Sequence, residues 1–75
     1  MTGFIHSFGR AVRELREAQG WSQELLAEKA DLNRSYIGEV ERGRAIPSLA
    51  TAAKLASALE LPLSGLLAHC ERRAA

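Results

Sequence analysis

The chain has 75 residues, a formal net charge of +1 and one cysteine, Cys70. That length holds one small domain, the single cysteine excludes an internal disulfide, and no apolar run approaches what a bilayer requires. Hydrophobic residues make up 47% but aromatics only 5%, so a core must come from Leu, Ile, Val and Ala, which suits short helices packed at close range.

Met1 to His6 reads as a loose arm, with Phe4 and Ile5 available to tuck against the body. The opening run MTGFIHSFGR has neither a basic start nor a long apolar stretch, so it does not read as an export signal, and a reducing, cytoplasmic location is expected. Ser7 is the expected N-cap of a first helix in which Phe8, Ala11, Val12 and Leu15 recur at helical spacing. Gly20 suits the position after that helix because it accepts positive φ without strain. Ser22 precedes a second helical run opening with Gln23 and Glu24, in which Leu26, Ala27 and Ala30 share a face. Asp31-Leu32-Asn33 makes a turn. Asn33 caps a third helix, whose inward face is Ile37, Val40 and Glu41 and which ends at Gly43. Ser48 caps a fourth, with a stripe of Leu49, Ala52, Leu55, Ala56 and Leu59. Leu61-Pro62 breaks it, and Leu63, Leu66, Leu67 and Cys70 mark a short fifth helix before a frayed tail. The fold class is therefore all-α: a compact bundle of five short helices in one domain spanning 1–75, with its core over about 7–70 and flexible ends at 1–6 and 71–75.

The stretch Gln23 to Gly43, QELLAEKADLNRSYIGEVERG, carries most information. It reads as two helices joined by a tight turn, with polar hydrogen-bonding side chains clustered at the second helix start. That is what a DNA major groove requires of a reader. Counting from Gln23, the fifth position is Ala27, where two helices must approach closely. The ninth is Asp31, where the turn needs a left-handed backbone. The fifteenth and eighteenth are Ile37 and Val40, which bury the second helix on the first.

With Ser22-Gln23, Leu26-Ala27, Ile37, Glu41-Arg42-Gly43, Pro47-Ser48-Leu49, Leu55-Ala56 and Ala58-Leu59, the chain resembles the phage-repressor type of helix-turn-helix domain, also called the xenobiotic-response-element family. The resemblance covers roughly residues 8 to 67. The segment Asn33 to Ile37 followed by Glu41-Arg42-Gly43 also resembles the small controller proteins of restriction-modification systems. Repressors of this type are among the standard examples of the helix-turn-helix docking geometry. The family implies a bundle of about five helices and sequence-specific binding of double-stranded DNA by a homodimer, with helix three in the major groove. Asp31 departs from the pattern, which usually has glycine there. Aspartate tolerates the left-handed region better than most residues. Gly38 inside helix three costs about 1 kcal/mol relative to alanine, so either the helix lies close to DNA there or no side chain fits between helices.

The resemblance assigns base contacts to Arg34 and Ser35. Arginine donates two hydrogen bonds to guanine, worth roughly 1–3 kcal/mol of discrimination. Its alternative is a solvated surface residue, and Ser35 has the alternative of supporting the helix start. Glu39 is expected to accept from cytosine, or else to repel phosphates or pair with Arg42 at i,i+3 spacing. Tyr36 is expected at a phosphate or thymine methyl, or as a partly buried packing residue. Gln23, at a helix N-terminus, makes a phosphate site, and Asn33, Arg42 and Arg44 join it on the backbone. The resemblance also implies that Glu41 pairs with Arg16 of helix one, as a partly buried ion pair fixing helix three.

Leu63, Leu66 and Leu67 exceed what the chain end needs for its own core, so part of this face, with neighbouring Leu61 or Cys70, is the expected homodimer seam; the alternative is that all of them close the monomer core. No cofactor, metal or small-molecule ligand is evident: His6, His69 and Cys70 lack metal spacing. No Ser/His/Asp set, paired acids or phosphate-cradling glycine loop points to an enzyme. The expected function is that of a small bacterial or phage transcriptional regulator. The competing expectation is a protein-interaction module, antitoxin-like or an adaptor, on the same scaffold.

Overall fold

A computed structural model describes residues 2–74. Among them are five α-helices: α1 Thr2–Ala18, α2 Gln23–Ala30, α3 Arg34–Glu41, α4 Leu49–Ala58 and α5 Leu63–Ala74. The all-α bundle matches the expectation from periodicity. α1 lies along α5 and crosses α3, α2 packs on α3 and α4, and α4 packs on α5. No helix among the described residues is long and apolar enough to cross a membrane.

Local chemistry sets the helix ends. Ser22 Oγ accepts from the Leu25 amide at 3.0 Å, Asn33 Oδ1 from the Ser35 amide at 2.7 Å and Ser48 Oγ from the Thr51 amide at 3.1 Å. Each cap satisfies a donor that a helix start leaves open. At the other ends the chain turns left-handed: Gly20 has φ 76° and Gly43 φ 74°, and the non-glycine residues Asp31 and Glu60 have φ 56° and 62°. Asp31 closes α2 as the spacing requires, and the Leu32 amide donates back to the Ala27 carbonyl at 2.8 Å. Glu60 does the same for α4, with the Leu61 amide donating to the Ala56 carbonyl at 2.9 Å, a turn the sequence reading did not foresee.

The core is mostly aliphatic. Leu26, Ile37, Leu55, Leu66, Val12 and Val40 are fully buried, and Phe8 is its one buried aromatic side chain among the described residues. Trp21 packs against its edge, half-buried, with Lys29 Nζ 4.8 Å over the ring. Gly9 lets α1 approach α3. A Cβ there would stand 2.9 Å from the Glu41 carbonyl oxygen and closer still to that of Val40.

Several expectations are corrected. α1 starts at Thr2, so Ser7 lies within the helix rather than capping it. Thr2 and Gly3 are poor helix formers, and packing makes up for them. Phe4 and Ile5 line an apolar cavity with Ile46, Pro47, Leu49 and Leu67, and the His6 ring lies against Gly43. At the other end α5 runs through residues 71–74, in place of the expected frayed tail; Met1 and Ala75 lie outside the described residues. Leu49 is not in the core stripe of α4: it is 74% exposed, at the first turn and beyond the reach of the core. Leu66 and Cys70 are fully buried within this one chain. With no exposed area they contribute no surface to a dimer seam. Leu61, Leu63 and Leu67 are half-buried and retain some.

Candidate nucleic-acid interface

α2 and α3 are held in a fixed relation by Ala27, Ile37 and Val40, all buried, and by the turn at Asp31. The small Ala27 side chain allows the approach. On the outer side, a shallow groove is lined by Gln23 from the start of α2 and by Arg34, Ser35, Gly38, Glu39 and Arg42 along α3. Arg34 also borders Ser22 and Glu24. Three of the residues singled out for contact on α3, Arg34, Ser35 and Glu39, therefore share one surface with Arg42 at its C-cap and with Gln23.

Tyr36 does not line this groove. It is half-buried and packs against the core, as one step around a helix from Ser35 would place it. Asn33 sits at the cap, its side-chain oxygen occupied by the Ser35 amide. Arg44 lies past the end of α3, in a different cleft that it shares with Arg42.

Two side-chain arrangements shape this face. Arg42 Nη2 donates to Glu39 Oε2 one turn back, and its guanidinium lies over Gly38. A Cβ at Gly38 would be 3.2 and 3.3 Å from the two terminal nitrogens of Arg42. The absent side chain therefore makes room for an arginine on the outer face rather than for a neighbouring helix.

The second arrangement lies beneath. Arg16 and Glu41 are each 8% exposed. Arg16 Nε donates to Glu41 Oε2 at 2.7 Å and Nη2 to Oε1 at 2.9 Å, a bidentate fork. Arg16 Nη1 donates to the Trp21 carbonyl at 2.7 Å. The hydrogen bonding to Glu41 raises the Arg16 pKa above its usual value, against the opposing effect of burial. Gln23 Nε2 then donates to Glu41 Oε1 at 3.0 Å. The side chain at the groove edge is thereby tied to the buried pair, which leaves its amide oxygen and the open N–H groups of the α2 start for an outside partner.

Other reactive groups are placed away from this face. Burial pushes the Cys70 thiol pKa up, with smaller opposing and reinforcing effects from its own backbone and Glu71, which is the reverse of an activated thiolate. Among the described residues no three His, Cys, Asp or Glu side chains gather as a metal set would.

The helix-turn-helix family HTH_3 matches residues 12–66. This chain belongs to that family. Among its relatives, the helix-turn-helix chain is 39% identical over 59 residues to the immunity repressor protein of Bacillus phage phi105, a match over 79% of this chain and 41% of the repressor. It is 38% identical over 72 residues to the control protein C.BamHI of Bacillus amyloliquefaciens, covering 88% of this chain and 89% of that one. Among solved structures, the restriction-modification controller protein C.AhdI from Aeromonas hydrophila superposes with a TM-score of 0.80 at 48% identity, over 83% of this chain and 94% of the controller. The chain spans less than half the length of the phage repressor and only 36% of the transcriptional regulator SutR of Escherichia coli, but nearly all of the two controller proteins.

Proposed function

We propose that this chain is a sequence-specific double-stranded DNA-binding transcriptional regulator, cytoplasmic and non-enzymatic, acting as a homodimer on a pseudo-palindromic operator. The observation that carries the reading is the groove on the outer face of α3. Arg34, Ser35 and Glu39 project from one helix with Arg42 at its C-cap, and Gln23 is fixed beside them through Glu41. α3 enters the major groove, whose width of about 12 Å admits one helix. Arg34, exposed at the first turn and with no ion-pair partner among the described residues, reads a guanine through two hydrogen bonds. Ser35 supports it. Glu39 accepts from a cytosine amino group once Arg42 turns from it to a phosphate. Gln23 and the start of α2 hold the opposite backbone strand, and Arg44 extends the contacts beyond α3. The Arg16–Glu41 pair fixes α3 beneath this face.

The helix-turn-helix segment itself is not basic. Affinity must come from placement and from a second copy, since one such unit reads only a few base pairs. The names of the relatives, immunity repressor and control protein, support transcriptional regulation, and the sign of regulation follows from where the operator lies relative to the promoter. For the seam we propose Leu61, Leu63 and Leu67, continued through Leu67 to the exposed Phe4, Ile46 and Leu49. An exposed apolar patch of this kind is a usual mark of a protein interface.

Selection of duplexes from a random pool tests the function. Enrichment of one two-fold-symmetric site, with half-sites about a helical turn apart, is the expected result. Arg34→Ala should lose discrimination at one base pair per half-site. Failure to enrich any duplex at low salt would overturn the reading and favour a protein-interaction module.

A further inference from the structure

A second cleft opens on the other side of Arg42, between α1 and the loop that follows α3. Its volume is about 580 Å³, and its walls carry Arg10 and Arg13 from α1 opposite Arg42 and Arg44. Its carboxylates are already engaged. Glu41 accepts from Arg16 and Gln23, Glu17 pairs with Arg13 at 3.2 Å, and Glu14 lies 3.9 Å from His69 Nε2. Arg10 and Arg44 are different: both are exposed, and neither guanidinium has a hydrogen bond or ion pair with any described residue. Two unneutralised guanidinium groups thus border one cleft from two separate elements.

Their relation is rigid for α1. Gly9, next to Arg10 in sequence, sits against the carbonyls of Val40 and Glu41, so the backbone that carries Arg10 is fixed relative to the end of α3. The continuation of α1 toward its start adds to this, with the His6 ring against Gly43. Arg42 lines both this cleft and the groove on α3, which makes one continuous cationic path from the reading face to α1.

We propose that Arg10, with Arg44, binds phosphodiester groups of the DNA backbone where the strand leaves the C-terminal end of α3, so that α1 is part of the DNA interface. This rests on the reading of the chain as a DNA-binding regulator. The continuity through Arg42 selects the occupant: a backbone strand running past α3 presents a regular row of phosphates, and guanidinium groups match them through paired N–H donors. Such contacts add affinity without choosing sequence.

The experiment measures binding of the full chain to the duplex recovered by selection from a random pool, over a range of salt concentrations. Each neutralised phosphate contact contributes about 0.9 to the slope of log affinity against log salt. Arg10→Gln and Arg44→Gln should each lower the slope per bound protomer by about that amount, weaken selected and unselected duplexes alike, and keep the parent melting curve. Lys54→Gln, on the exposed face of α4, should leave the slope unchanged. A parent that selects a duplex, with Arg10→Gln retaining the full slope, overturns the inference while the proposed function stands. A parent that selects no duplex overturns both. Capture of an acidic peptide by the cleft, abolished in Arg10→Gln while the DNA slope is unaltered, would assign it to a protein partner and also overturn the inference.

Discussion

Arg16 and Glu41 meet through two hydrogen bonds of 2.7 and 2.9 Å, although 25 residues separate them in the chain. Each is nearly buried, so neither can turn to water if the other is removed. Glu41→Ala should therefore cost about 3–5 kcal/mol, because it leaves an unpaired buried guanidinium. Joint replacement by apolar residues of similar volume, Arg16→Met with Glu41→Leu, should recover much of that loss. The double variant should still bind DNA less well, since Gln23 loses the oxygen that holds its amide. Chemical denaturation of the two variants and the parent reads the first effect, and duplex titration the second.

Gly9 and Gly3 are one helix with opposite expected outcomes. Alanine is the better helix former by about 1 kcal/mol. At Gly3 nothing lies within 4 Å of an added Cβ, so Gly3→Ala should gain up to about that amount. At Gly9 the added atom meets backbone carbonyls of α3, which cannot move without shifting the helix. Gly9→Ala should lose about 1–3 kcal/mol as an overpacked contact. Thermal melts that rank the variants in the reverse order would contradict the packing described for α1.

The left-handed residues make a graded pair. Glu60 has φ 62° and Asp31 φ 56°, conformations that cost an ordinary side chain about 1–2 kcal/mol. Glycine removes that cost but gives back part of it through a more flexible unfolded chain. Glu60→Gly should therefore stabilise by about 0.5–1 kcal/mol. Asp31→Gly should stabilise by less, because aspartate tolerates this region. Equal or reversed shifts in denaturation midpoint would count against the difference.

How far residues disclosed this arrangement depends on the range of the interaction. The caps Ser22, Asn33 and Ser48 act within three residues, so local sequence reveals them, as it reveals Gly20 and the turn at Asp31. The faces of α2 and α3 follow from helical period. Residues 2–6 could not be recognised as helix, because what supports them is a loop some forty positions away, Gly43 to Leu49. Leu49 reads as core by spacing, but the spacing cannot tell that the core stops one turn short of it. The tie from Gln23 to Glu41 depends on tertiary geometry, whereas the placing of Arg42 over Gly38 is a local i,i+4 relation. Leu66 and Cys70 look surplus in a list of apolar residues, and only the packing of α5 on α1 shows them fully used.

The buried thiol gives a dependence on pH with a definite sign. Burial raises the Cys70 pKa in the folded chain, whereas the unfolded thiol titrates near its ordinary value of about 8.5. Above that pH the unfolded state loses a proton that the folded state keeps, so unfolding is favoured. The stabilising contribution is thus complete below about pH 8.5 and falls as pH rises toward the folded value. Denaturation at pH 7 and at about pH 10 should show this loss in the parent. Cys70→Ala should be less stable at both, having left a cavity, but should show a smaller difference between them. An unchanged difference would show that another group is responsible.

The seam prediction separates association from folding. Ile46 and Leu49 are 77% and 74% exposed in the single chain, so a charge at either position does not disturb the core. Leu49→Glu and Ile46→Glu should leave the melting curve of dilute protein within about 0.5 kcal/mol of the parent. In a self-complementary two-fold interface each substitution puts a charge into the seam twice over, and the dimer should dissociate. Sedimentation over a range of concentrations measures this directly. Operator affinity should then fall while the sequence preference of each half-site is retained, because Arg34 and its groove on α3 do not include these residues. A variant that remains as fully dimeric as the parent would move the seam away from this patch, to Leu61 and Leu63 alone or to another face.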